Sequence, residues 1–112
     1  MSKINQYNEK GQRHGLWENY YPNNKLMYKG AYVNEKKHGL WEYYYENGQL
    51  WLKGTYANRK KYGLWENYHP NGQLRNKGTY VNGKKYGLWE HYHPSGEIEK
   101  QIFYSKYLYE QD

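Results

Sequence analysis

Gly39-Leu40-Trp41-Glu42-Tyr43-Tyr44-Tyr45-Glu46-Asn47-Gly48-Gln49-Leu50-Trp51-Leu52-Lys53-Gly54 decides the fold. Its opening tetrad, Gly-Leu-Trp-Glu, also stands at Gly15, Gly63 and Gly87, each copy 24 residues from the last with no insertion. A fixed period of this length marks a repeat array. Within the quoted unit, Asn47-Gly48 sits between alternating aromatic and aliphatic residues, and Asn71-Gly72 repeats the arrangement. That is the sequence signal of a two-residue β-hairpin loop in a type I′ turn. Asn23-Asn24 and Ser95-Gly96 fill the same place in the first and last units, Asn24 replacing glycine because asparagine tolerates a left-handed backbone.

Counting outward from a two-residue loop pairs Pro22 with Lys25, Tyr21 with Leu26, Glu18 with Lys29 and Trp17 with Gly30. Opposite charges then face each other as Glu18 with Lys29, Glu42 with Lys53 and Glu66 with Lys77, pairs worth about 0.2–1 kcal/mol each. Glu90 lacks such a lysine, because Gln101 stands in its place. Trp17, Trp41 and Trp65 face Gly30, Gly54 and Gly78, where a ring covers backbone that has no side chain. Alternation sorts Gly15, Trp17, Tyr21, Leu26, Tyr28, Gly30 and Tyr32 onto one face, read as the core. Leu16, Glu18, Tyr20, Met27, Lys29, Ala31 and Val33 share the other. The position of Met27 becomes Trp51, Arg75 and Glu99 in later units, which suits a solvent-exposed site of variable partner contact.

The second turn of each unit looks looser. Asn82-Gly83 suggests a tight hairpin, whereas Asn34-Glu35 and Asn58-Arg59 specify one less well. These turns carry Lys36-Lys37, Arg59-Lys60-Lys61 and Lys84-Lys85, expected to line one long edge as surface residues about 10 Å apart.

Composition agrees with a thin structure. Seventeen Tyr, five Trp and one Phe far outweigh the branched aliphatic residues, so burial must come from rings, whose tyrosine tips stay wet. Cysteine is absent, which leaves no disulfides and no thiolate metal sites. No apolar run approaches the roughly 18 residues that span a bilayer, and the first residues form no signal-peptide apolar region, so a soluble cytoplasmic protein is expected. The net charge of +6 permits an anionic partner and is also ordinary for a small soluble domain. The chain reads as one domain: an N-terminal cap over residues 4–14, whose turn is one residue longer than the later ones, then repeats at 15–38, 39–62, 63–86 and 87–109. In the last unit Ile102 stands where Gly30, Gly54 and Gly78 do. Its continuation, with Lys106 and the acidic Glu110-Gln111-Asp112, is expected to close the end of the array.

Units of the form Gly-Leu-Trp-Glu-Xaa-Tyr followed by Asn-Gly-Gln-Leu, Lys-Gly-Xaa-Tyr and Asn-Gly-Lys-Lys resemble MORN repeats, in particular the bacterial MORN-variant type, over residues 7 to 107. The resemblance implies an all-β, elongated, single twisted antiparallel sheet of hairpins without helices. It also implies a non-enzymatic interaction module. Relatives act as protein scaffolds, some have been proposed to bind acidic phospholipids, and many bacterial members are described as antitoxins.

Site chemistry is sparse. His14 and His38 alternate with Tyr62 and Tyr86, and His69 and His93 with Tyr21 and Tyr45, so a flat amphipathic ring rather than a metal ligand is wanted there. There is no cysteine nucleophile, no serine beside a base and no Gly-rich loop opening a helix; no catalytic, cofactor or metal residues are expected. The expected partner is a protein, bound and neutralised in the manner of an antitoxin or inhibitor, with Met27, Tyr43, Trp51, Arg75 and His91 as contact candidates. The alternative is an anionic ligand (nucleic acid, nucleotide or acidic phospholipid headgroup) held by Lys36, Lys37, Arg59, Lys60, Lys61, Lys84 and Lys85. End-to-end stacking of copies is a further expectation.

Overall fold

The computed structural model describes residues 3–104; Lys106 and the acidic tail lie outside the described residues. Eight strands follow in order: β1 (Gly15–Tyr20), β2 (Leu26–Val33), β3 (Lys36–Tyr44), β4 (Leu50–Ala57), β5 (Lys60–Tyr68), β6 (Leu74–Val81), β7 (Lys84–Tyr92) and β8 (Ile98–Tyr104). They form one antiparallel sheet in which each strand pairs only with its neighbours in sequence. The described chain measures 45 × 38 × 17 Å, with a radius of gyration of 16.2 Å. A compact chain of this length would have about 13 Å. One layer of sheet with its rings explains the difference.

The loops reverse the expected roles. After β1 the turn is Pro22-Asn23-Asn24, closed by Tyr21 N–H donating to the Lys25 carbonyl and Asn24 N–H to that of Tyr21. Only the third loop residue is left-handed: Asn24 at φ 71°, Gly48 at 92°, Gly72 at 93° and Gly96 at 96°. This is a three-residue loop, a type I turn closed by a left-handed residue, and not type I′. Asn23, Asn47 and Asn71 stand there for their side chains. Each accepts from the backbone two residues on (Lys25, Gln49, Gln73) and donates its amide to a carbonyl of the next unit's turn (Glu46, Pro70, Pro94) at 2.8–3.1 Å. Ser95, with no described unit beyond it, keeps only the first of these bonds.

Because the loop is one residue longer, Tyr20 pairs with Leu26, not Tyr21 with Leu26 as counted from a two-residue loop. A bulge at Met27 then restores the count, so that Glu18↔Lys29 and Trp17↔Gly30 pair as expected. Two deviations cancel. The bulge also breaks alternation: Trp51, in the Met27 position, packs its ring against Tyr43 at 5.8 Å and Tyr45 at 6.1 Å, beside Trp41 and away from the face expected for it.

The turns expected to be loose are the tight ones. Both central residues are left-handed in Asn34-Glu35 (50°, 74°), Asn58-Arg59 (52°, 69°) and Asn82-Gly83 (55°, 82°), the signature of type I′. Val33↔Lys36 and its equivalents close them directly. A few residues on, Gly30 alone faces the three residues Gly39, Leu40 and Trp41, since the register passes from Ala31↔His38 to Lys29↔Glu42. Gly39 takes φ 75° in this bulge.

The interruption builds the core. The Ala31 carbonyl accepts from the Trp41 indole N–H at 3.1 Å, and Thr55 and Thr79 do the same for Trp65 and Trp89. The indole of Trp41 therefore lies over Gly30, that of Trp65 over Gly54 and that of Trp89 over Gly78. Each tryptophan covers the glycine of the preceding hairpin, and not the glycine paired opposite it. Ile102 follows the last described tryptophan, so no indole needs the space its side chain takes. Trp41, Trp65 and Trp89 are buried, and edge-to-face contacts link the rings in one row: Tyr7, Trp17, Tyr32, Trp41, Tyr56, Trp65, Tyr80, Trp89, Tyr104.

At the start of the chain the expected cap strand is reduced to a Tyr7↔Arg13 bridge, with one more residue between the partners than between Tyr32 and Lys37. Asn5 reaches β1 instead, donating to the Leu16 and Glu18 carbonyls and accepting from Glu18 N–H.

Candidate functional site

The two faces offer different chemistry. On the face opposite the tryptophans, Leu16, Leu40, Leu64 and Leu88 are each about half exposed. They alternate across the sheet with their partners Ala31, Thr55, Thr79 and Phe103. A hollow of about 250 Å³ between Leu16 and Leu40 is bordered by Glu18, Lys29, Ala31 and Glu42. Beside the leucines runs a second row, Glu18, Lys29, Glu42, Lys53, Glu66, Lys77 and Glu90, in which every neighbouring pair is in register. Each inner lysine stands between two glutamates. The closest ion pair in this row, Lys29 with Glu42 at 3.6 Å, crosses the type I′ hairpin and not the hairpin from which the pairing was counted. In its own hairpin Glu90 faces Gln101 as expected, which donates to it at 3.0 Å, and Lys77 faces it from the other side.

The basic turn residues divide between the two faces. Lys36 and Lys60 are exposed, as are Arg59 and the rest of its turn. Lys37, Lys61 and Lys85 instead fold back over the rings: Lys37 over Trp41 at 5.1 Å, Lys61 over Trp65 at 4.9 Å and Lys85 over Trp89 at 4.8 Å. The expected single edge of turn lysines is thus half an edge and half a roof, because strand alternation sends adjacent lysines to opposite faces. Arg13 holds the same place at the start, over Tyr32 at 4.3 Å, and is ion-paired with Glu35. That pairing raises the Arg13 guanidinium, and the Arg13 backbone N–H, then its side chain, lower the Glu35 carboxyl from its ordinary value. Lys37 donates to the Tyr43 hydroxyl at 3.0 Å. Desolvation lowers Lys61, with Lys85 and Lys37 adding repulsion. Burial against the same rings, helped by the Tyr43 phenol, pushes the Tyr56 hydroxyl up to about 12.

The contact candidates scatter. Tyr43 and His91 occupy one register row on the tryptophan face, Trp51 packs beside Tyr43, and Arg75 is exposed in the third copy of the Met27 position. That row reads Tyr28, Tyr43, Leu52, Asn67, Asn76, His91 across β2 to β7. Where it turns from rings to amides, a cavity of about 230 Å³ opens between Trp65 and Trp89, bordered by Lys61, Lys85, Asn67 and Asn76. Sequence reasoning did not find Asn67 and Asn76. Their exchange with Tyr43 and Tyr28 at two positions of the repeat was the available signal.

His69 takes tyrosine's role. Tyr21 and Tyr45 hydroxyls donate to the carbonyls of Tyr44 and Tyr68 at 2.6 Å, and His69 Nε2 meets that of Tyr92 at 2.9 Å. His69 is buried, and its bond ties one repeat to the next. Among the described residues no three His, Asp or Glu converge on one point.

No helix of the described chain is long and apolar enough to cross a membrane. The family model described as MORN repeat variant matches residues 13–34, 37–58, 61–82 and 85–106, four copies at the 24-residue spacing and most of the chain. No curated protein gives a significant match.

Proposed function

Since the chain belongs to the MORN repeat variant family, we propose that it is a non-enzymatic protein-interaction module whose docking surface is the leucine face. The observation that carries this reading is the regular row of half-exposed leucines with the Glu–Lys row beside it. Contiguous exposed apolar surface rimmed by polar residues marks interaction sites. The charge pattern selects the class of partner. A polyanion would meet Glu18, Glu42, Glu66 and Glu90 on this face, whereas a protein can seat apolar side chains between the leucines and answer both signs of charge.

The test is affinity capture from a lysate of the native host with the full chain and with Leu64→Asp, both verified as folded by circular dichroism. The expected result is one stoichiometric protein that survives nuclease and high salt and is lost with Leu64→Asp. Equal capture by both chains, or recovery only of nucleic acid that salt removes, overturns the reading.

A further inference from the structure

The cavity between Trp65 and Trp89 exists because two side chains that fill this space earlier in the sheet are replaced. Tyr28 and Tyr43 pack on one another and against Trp41. At the equivalent places one and two repeats on, Asn67 and Asn76 are too short to do so, and about 230 Å³ stays open. That is several times the roughly 30 Å³ share of one water molecule.

Its surroundings carry unanswered polarity. Arg13 has Glu35 and Lys37 has the Tyr43 hydroxyl, but Lys61 and Lys85, at the mouth of the cavity, find no acidic partner among the described residues. They rest on rings alone. Glu66 also borders the cavity, yet it stands in register between Lys53 and Lys77. In the lining, Asn67 Oδ1 is buried without a hydrogen-bond partner. A buried polar atom left so costs about 1–3 kcal/mol.

We propose that this cavity is a socket for a small oxyanion, the phosphate or carboxylate group of a ligand, clamped between the Lys61 and Lys85 ammonium groups and seated on the Asn67 and Asn76 amides. The lysines supply charge at the mouth. The amides supply directed donors at the floor, Asn67 by turning its side chain over so that Nδ2 points inward, an exchange of near-identical shape. An anion held there also relieves the repulsion between Lys61 and Lys85. The site lies on the opposite face from the leucine row, so it stands or falls independently of the docking surface.

The experiment follows the indole N–H signals of Trp65 and Trp89 by nuclear magnetic resonance while inorganic phosphate, or separately glutarate, replaces chloride at constant ionic strength. The expected result is a saturable shift that Lys61→Gln and Lys85→Gln each weaken about tenfold, the loss of one charge-assisted hydrogen bond, and that exposed Lys60→Gln leaves unchanged. Asn67→Tyr restores the side chain that the preceding hairpin already accommodates, so it should fold and abolish the shift. Saturation by phosphate alone identifies a phosphate ester as the ligand class, and saturation by glutarate identifies an acidic side chain. A shift that does not saturate with either anion, or that survives Lys61→Gln and Asn67→Tyr, overturns the proposal.

Discussion

Trp65 lies over Gly54 because the bulge beginning at Gly63 carries its indole back across the sheet, where the Thr55 carbonyl fixes the ring by its N–H. A Cβ built on Gly54 would fall inside the indole, and the atom in its way belongs to a ring locked on both sides by Tyr56 and Tyr80. The ring cannot yield as a flexible side chain would. Gly54→Ala is expected to cost about 1–3 kcal/mol or more through overpacking, read as a lowered urea midpoint; an unchanged midpoint would remove Trp65 from its assigned place. His69 makes the complementary point. It replaces tyrosine without loss because the fold asks that position for a flat ring with one polar atom facing the next repeat's carbonyl.

At the scale of the element, each hairpin is held by the side of its loop that the dipeptide Asn-Gly conceals. Asn47-Gly48 satisfies two turn types equally well in the sequence; the asparagine amide's bond to Pro70 and the backbone bond to Gln49 select the three-residue form. The opposite turns carry strain that the sequence does not advertise. Arg59 holds φ 69°, a region costing a residue with a Cβ roughly 1–2 kcal/mol, whereas Gly83 in the next repeat holds 82° without it. Arg59→Gly is therefore expected to stabilise the chain by about 1 kcal/mol, the net of relieved strain and glycine's greater unfolded freedom. Differential scanning calorimetry checks it, and a lower melting temperature would contradict the turn assignment.

Across the described chain, each strand pairs only with its neighbours, so stability is approximately a sum of nearly identical units and their junctions. Removing residues 63–86 joins Tyr62 to Gly87, the same dipeptide that Tyr62-Gly63 and Tyr86-Gly87 already form. The shortened chain should fold with Trp89 over Gly54, melt at a lower temperature and keep the near-ultraviolet dichroism of packed indoles. Loss of that signal would show that the array does not behave as additive repeats. The same deletion removes Lys85 together with Asn67 and Asn76, and with them the oxyanion socket.

The amino-acid sequence by itself determined the repeat, the all-β class, the Glu–Lys and Trp–Gly registers and the identity of the core face. These follow from a 24-residue period and strict alternation, which are properties of the chain's covalent order. The register was right although its loop was misread, since the extra loop residue and the Met27 bulge offset one another in the count. What only the tertiary structure decided lies wherever alternation fails. Bulges turn Trp51 toward Tyr43 and carry each tryptophan onto the previous glycine; no local pattern reports them, because they are stabilised by contacts between repeats. The cavity over Asn67 and Asn76 belongs to the same class. It is made by residues 9 positions apart in one hairpin and by two lysines from different turns, and only the stacking of hairpins brings their charges over one space.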